Sequence, residues 1–273
     1  MPWLPRLAVM VVGLIAANTP PVSAETVDEL YQSQTIVTGQ GEVNRQIGFK
    51  ACLDAVLVRV SGDQRLPKRT EMAALRDKAG SFVAEFRYRD RLEGIPIHDE
   101  QGTHDRPHDL TCLYRPDVID PVLAALGSKP WLGERPRLAI FLAAEQGTRQ
   151  FVLTADDEGA AMRESFVNAT GPLVMRIVFP EASLLSASKL DDQALRHADI
   201  TTLDQLARKA GADQALAGSI VWSDKELGWI ADWRLALNGK SYNWQVRGVS
   251  FDEAFRVAMR GAAQILSGNG QPE

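Results

Sequence analysis

Between Gln214 and Ser250 three runs of residues alternate apolar and polar with a period of two, the last two of them separated by Asn238-Gly239. That period is the mark of a strand with one buried face, and Asn-Gly supplies the two positive-φ residues of a type I′ hairpin turn. Closing the loop there sets the register. Leu237 faces Lys240, Leu235 pairs with Tyr242, Trp233 with Trp244 and Ala231 with Val246, all on the face that also carries Trp229. The other face pairs Arg234 with Asn243, Asp232 with Gln245 and Ile230 with Arg247, which makes Asp232 and Arg247 diagonal neighbours of opposite charge. A slip of one residue would turn the tryptophans into water, so the register is well specified. Gln214–Trp222 is the first strand of this meander. One-faced sheets bury that face, so Trp229, Trp233 and Trp244 read as core; the competing reading is an aromatic ligand face.

A helix is expected on each side of the meander. Thr201-x-x-Asp204 resembles a capping box, followed by Leu203, Leu206, Ala207 and Ala210 at helical spacing and by Gly211 as stop. Ser250-x-x-Glu253 opens the last helix, with Phe251, Phe255, Ala258, Ala262 and Ile265 on one face. Upstream, Arg137–Ala144 and Leu173–Phe179 are apolar at both parities, the pattern of strands covered on both sides. Asp156 or Asp157 caps a helix between them. Pro180–His197 reads as an irregular connection with a helical turn near 191–196.

The first part of the chain has a different order. Gln34–Thr38 reads as a strand, Arg45–Val60 as a helix, and Thr70 as the cap of a second helix with Met72, Leu75, Ala79, Phe82 and Phe86 on its face. Arg87–Arg91 and Leu110–Arg115 read as paired strands, and Asp117–Leu126 as a helix ended by Gly127. The expected fold class is therefore an α+β N-terminal domain (β-α-α-β-β-α) over 25–128, a linker over 129–136, and an α/β domain over 137–267. The second domain has a mixed sheet ending in a three-stranded antiparallel meander and a C-terminal helix, with a disordered tail over 268–273.

The first 24 residues stand apart: Arg6 is their one charge, Leu7–Ala17 is apolar, and Val22-Ser23-Ala24 is a small-residue cleavage site. That is the pattern of a secretory signal peptide cut after Ala24, so an exported, periplasmic location is expected. No later stretch is long and apolar enough to span a bilayer, and no cysteine sits at the cleavage point to carry a lipid anchor. The net charge is −5, with acidic residues in excess in both halves, which argues against nucleic acid and against a polybasic membrane patch.

Three groups of residues carry candidate chemistry. Cys52 and Cys112 each lie on the apolar face of an expected element and should meet in one core; an exported compartment favours a bridge, worth ~3–4 kcal/mol by chain entropy, over two buried thiols. Arg87, Arg89 and Arg91 recur at period two, so their guanidinium groups can form a comb for an anionic ligand, or a solvated face balanced by Glu85, Asp90 and Glu93. His98, His104 and His108 fall in the loop Glu93–Asp109, each followed by aspartate, a donor set that suits zinc; the alternative is a polar hairpin loop. No catalytic residue and no cofactor site is assigned. The chain has no nucleophile elbow, phosphate loop, dinucleotide fingerprint or H-E-x-x-H.

Trp131-Leu-Gly-Glu-Arg135-Pro136, the strand Leu138–Ala143, and the pattern Ala210-Gly-Ala-Asp213…Ala217-Gly-Ser219…Trp229…Trp233…Trp244 resemble the exported Gram-negative proteins grouped as domain of unknown function 2066. That resemblance implies an envelope protein and supplies no catalytic residues. The helix–Gly-Ala-Asp–strand–Gly-Ser junction at Gly211–Ser219 is also similar to domains of the Tol-system propeller protein and of curli-secretion-type lipoproteins, where such domains bind partners. The expectation is a non-enzymatic interaction or assembly module binding another envelope protein. The alternatives are a metal-dependent hydrolase using the histidine loop, and a binder of an anionic ligand or glycan.

Overall fold

A computed structural model of the chain describes residues 28–95, 105–156 and 159–272. The expected leader with its cleavage point, and His98 and His104, lie outside the described residues. Three cores organise the rest. The first lies under a three-stranded antiparallel sheet of order β1-β3-β2, with β1 at Gln32–Thr38, β2 at Glu85–Asp90 and β3 at Pro107–Leu113. The helix α1, Glu42–Ser61, lies across one face of that sheet. It buries Phe49, Cys52, Leu53, Val56, Leu57 and Val60 against Leu110 and Cys112. The short helices α2 (Met72–Arg76) and α3 (Ala79–Phe82) follow, and α4 (Pro116–Ala125) closes the lobe.

The second and third cores cover the two faces of a six-stranded sheet of order β5-β4-β7-β8-β9, with β6 beside β5 on the far side of β4. These strands are β4 (Arg137–Gln146), β5 (Arg149–Val152), β6 (Arg176–Val178), β7 (Gln214–Ser223), β8 (Gly228–Leu237) and β9 (Lys240–Val249). Leu138 to Ala144 are 0 % exposed, so β4 is covered on both faces, as its unbroken apolar run requires. The helices α5 (Ala160–Thr170) and α9 (Phe251–Leu266) cover the face holding Trp229, Trp233 and Trp244. The helices α6 (Ala182–Ala187), α7 (Asp192–His197) and α8 (Ile200–Lys209) cover the other. Ser250 caps α9 by accepting the Glu253 N–H.

The hairpin register agrees with its turn chemistry: Asn238 and Gly239 have φ of 52° and 76°, and Leu235–Tyr242, Trp233–Trp244 and Ala231–Val246 pair as expected. It departs at the far end. A bulge between Trp229 and Ala231 pairs Trp229 with Val249, so Ile230 does not face Arg247. Gly248, at φ 66°, supplies the left-handed residue, and Arg247 swings to Glu226 at 2.5 Å instead of Asp232.

Several expected elements need correction. The second helix breaks into α2 and α3, and Phe86 stands on β2; Gly80, inside α3, packs close to Phe49, where a Cβ would stand 3.2 Å from the ring. Thr70 does not cap; its hydroxyl donates to Glu71. Residues 173–179 hold no central strand: Val174 is left-handed after a 3-10 turn, leaving only the short peripheral β6. The connection 180–199 is largely helical. Asp199 caps α8, while Asp204 accepts the Ala215 N–H at 2.8 Å. Gly159, not Asp156, precedes α5; Asp157 is outside the described residues. The tail, expected to be disordered, donates from Asn269 to Ser61 O and from Gln271 to Asn243 O.

Candidate functional site

The two lobes join at the C-terminal end of α1, and two arginines make the joint. Arg59 donates to Gln32 O and Glu29 O at 2.6 and 3.0 Å in its own lobe, and to Pro172 O and Gly171 O at 2.9 and 3.1 Å in the other. Arg135 donates to Arg59 O at 2.6 Å and to Leu173 O, with its guanidinium 4.3 Å over the Trp131 ring. Burial, helped by the nearby Arg59 charge, pushes the Arg135 pKa down to about 10. The Trp131 backbone N–H donates to Val60 O at 2.7 Å, which holds the connecting segment against the end of α1.

Beside this joint lies a cleft of about 570 Å³ between α1 with its following loop and α9 with β9. Trp244 forms part of its lining. The indole lies so close to α9 that a Cβ on Gly261 would stand 2.5 Å from it, and its N–H donates to Val257 O at 3.3 Å. Ala51, Ala55 and Val58 of α1 and Leu173 add further apolar lining, and Arg65, Lys68, Arg256 and Arg260 add the charge. The one carboxylate in the lining, Asp54, is gripped by Arg76 through contacts of 2.9–3.0 Å. Glu253 sits between Arg256 and Arg260 at 2.7 and 3.3 Å. The cleft lining is thus apolar and cationic on a chain whose net charge is −5. Among the described residues its lining includes no histidine, cysteine, serine, threonine or tyrosine.

Asp63 anchors the loop at the mouth. Burial pushes its carboxyl up, but the Arg65 side chain and N–H and the Arg69 charge outweigh that and hold it below the ordinary value. The tail closes the end near β9, where Gln264 donates to Gln271 O at 2.8 Å and Pro272 joins the lining.

The residues singled out from sequence fall elsewhere. Arg87 and Arg89 stand on β2, Arg91 lies in the turn just past its end, and each meets a carboxylate. Arg89 binds Asp109 at 2.6 Å, Arg91 approaches the same residue at 3.7 Å, and Arg87 lies 3.4 Å from Glu85. The Arg89 hydrogen bond is the main cause that holds the Asp109 carboxyl below its ordinary value. His108 is not in a loop. It lies on β3, is 8 % exposed, places Nδ1 2.8 Å from Arg106 O and packs edge-on against Tyr88. Cys52 and Cys112 do share one core, but the expected bridge is absent: both are free, buried thiols not at disulfide distance. The Cys52 thiol lies near Ser33 O and Leu110 O at 3.8 and 3.9 Å, as a small buried hydrophobe would.

The cleft is assembled from residues 51–68 and 169–272, which no local motif connects. One signal was present in the sequence. Opposite the buried face of α1 runs a second apolar row, Val43, Ile47, Ala51, Ala55 and Val58, and a helix apolar on two sides calls for a second partner.

Two lobes with separate cores and an apolar, cationic cleft between them make up a mixed α/β architecture. Residues 24–132, the first lobe with the start of the linker, match the family model described as a domain of unknown function, DUF8605. No curated protein and no solved structure matches the chain.

Proposed function

We propose that this chain is a non-enzymatic interaction module of the Gram-negative envelope, and that the cleft between its lobes is where a partner binds. The carrying observation is the lining itself: apolar walls with cationic edges. The tryptophan face supports the same reading, because Trp233 is 0 % exposed and Trp229 and Trp244 only 6 and 5 %, leaving the aromatic cluster to architecture. The leader-like segment around Arg6, Leu7–Ala17 and Ala24 supports the location, and no described helix is long and apolar enough to cross a membrane.

The test is a pull-down from native envelope with three baits: wild type, Ala55→Asp in the cleft wall, and Arg89→Glu on the outer face of the small sheet. Recovery of one partner by wild type and Arg89→Glu, lost with Ala55→Asp, is the expected result. Equal recovery by Ala55→Asp overturns the cleft, and loss with Arg89→Glu alone moves the binding surface to the arginine comb.

A further inference from the structure

Resting on the cleft as the binding site, we propose that its occupant is an acidic amphipathic helix of a partner protein, laid along the outer face of α1. The second apolar row of α1 is continuous. Val58, Ala55 and Ala51 line the cleft, and Ile47 and Val43 carry the row onward into solvent, where they are 60 and 77 % exposed. From Val43 to Val58 the row runs about 22 Å at a rise of 1.5 Å per residue, the length of four helical turns. Apolar surface left in water along a helix that already buries its other side is unfavourable unless something covers it.

The shape of the row decides what covers it. Alanines stand at its centre and larger side chains at its ends, so a second helix can approach to the ordinary helix–helix distance of about 8–10 Å. An alkyl chain is the poorer fit. Among the described residues the row along Val43 and Ile47 is an open face, where an alkyl chain would keep much of its surface wet, whereas a helix buries one face and keeps its polar face in water.

Charge decides the sign of the partner. At the cleft end, Arg65 and Lys68 stand on the α1 side, where Arg65 also meets Asp63, and Arg256 and Arg260 on the α9 side, where the two share Glu253, so a partner's carboxylates would join these ion pairs. The lining's own carboxylate, Asp54, is held by Arg76. Carboxylates flanking the apolar face of a docked helix would meet cations from both lobes. The tail held by Gln264 and Asn243 closes the end near β9, so the open approach is along α1.

The experiment measures binding to labelled 16-residue peptides by fluorescence anisotropy at low salt. The probes are a helix with leucines at i, i+3, i+4 and i+7 flanked by glutamates, the same peptide with every glutamate replaced by lysine, and a scrambled acidic peptide of equal composition. Dodecanoate is the lipid-like arm. The acidic amphipathic helix should bind at least about tenfold tighter than either control peptide. Its affinity should fall at least about tenfold in Ala55→Asp and in the double variant Arg256→Glu/Arg260→Glu, and also on raising the salt. Thermal melts check that both variants fold; the exposed Ala55 makes the first the safer of the two. Equal binding of the lysine peptide, or affinity unchanged by Ala55→Asp, overturns the proposal. Dodecanoate binding without peptide binding overturns the helix and leaves the cleft standing. If neither binds while the pull-down still depends on Ala55, the ligand class is wrong and the site is right; if both experiments fail, the site is wrong as well.

Discussion

Gly218→Ala is the sharpest probe of how the tryptophan face is built. By local preference alone the change should help, since glycine inside a strand is about 0.5–1 kcal/mol worse than alanine. The structure reverses that sign. A Cβ at Gly218 would lie 2.2 and 2.3 Å from two ring carbons of Trp233 and 3.0 Å from Asp232 O. Ordinary contact needs about 3.5–4.0 Å, so the indole must retreat by well over an ångström. It has little room to do so: Trp233 is 0 % exposed, with Phe166 and Phe255 edge-on to it at 5.9 and 6.2 Å. Overpacking of this kind costs about 1–3 kcal/mol and exceeds the propensity gain. Urea unfolding followed by far-UV and near-UV circular dichroism reads the result: a lower midpoint at unchanged slope, and a changed aromatic spectrum. In a Trp233→Phe background the smaller ring should absorb the methyl, so the penalty for Gly218→Ala should shrink. A neutral or stabilising Gly218→Ala with a native near-UV spectrum would refute the packing described for this face.

Other outcomes follow from the joint, the loop and the histidine. Arg135→Ala should cost about 2–3 kcal/mol in urea unfolding, because Leu173 O and Arg59 O lose a charged donor, and should speed proteolysis within residues 127–136. Asp63 has a folded pKa below its ordinary value, so its contribution to stability is present above about pH 4 and disappears as pH falls through the lower folded value. Asp63→Asn should therefore be less stable than wild type at pH 7, and the gap should narrow in melts taken below about pH 4. Protein purified without a histidine tag should hold well under one zinc per chain by elemental analysis, because His108 faces the core of the first lobe; a stoichiometric metal lost in His108→Ala would contradict that placement.

How far the sequence reached depended on whether one residue pair could specify geometry. Asn238-Gly239 could: a two-residue loop leaves one register, and the tryptophan pairs followed. The bulge at Gly248 breaks the alternation, since Val246 and Val249, three residues apart, pack on the same core, and the close approach of Gly228 to the Gly248 backbone shows why the strands shift there. The split of the second helix was hidden by apolar residues that keep helical spacing from Met72 to Phe86 although the helix breaks at Asp77 and Lys78. Asp204 illustrates a competition: its position suits a capping box, but the Ala215 N–H at the start of β7 needs an acceptor, and Asp199 is free to cap α8. The cleft was the least legible feature. Its walls come from α1 and α9, brought together by Arg59, Arg135 and Asn269 across the joint, and only the doubled apolar pattern of α1 hinted at it.

The claim that the cleft is the recognition surface meets its most direct test in site-specific photo-crosslinking in the native host. A benzophenone side chain is placed at Ala51 in the cleft wall and, as control, at the exposed Val167 on α5. The expected result is one discrete adduct from Ala51, absent from Val167 and abolished by Arg256→Glu/Arg260→Glu in the same chain. Adducts of equal yield from both positions, or none from Ala51 while Val167 captures a partner, would contradict it.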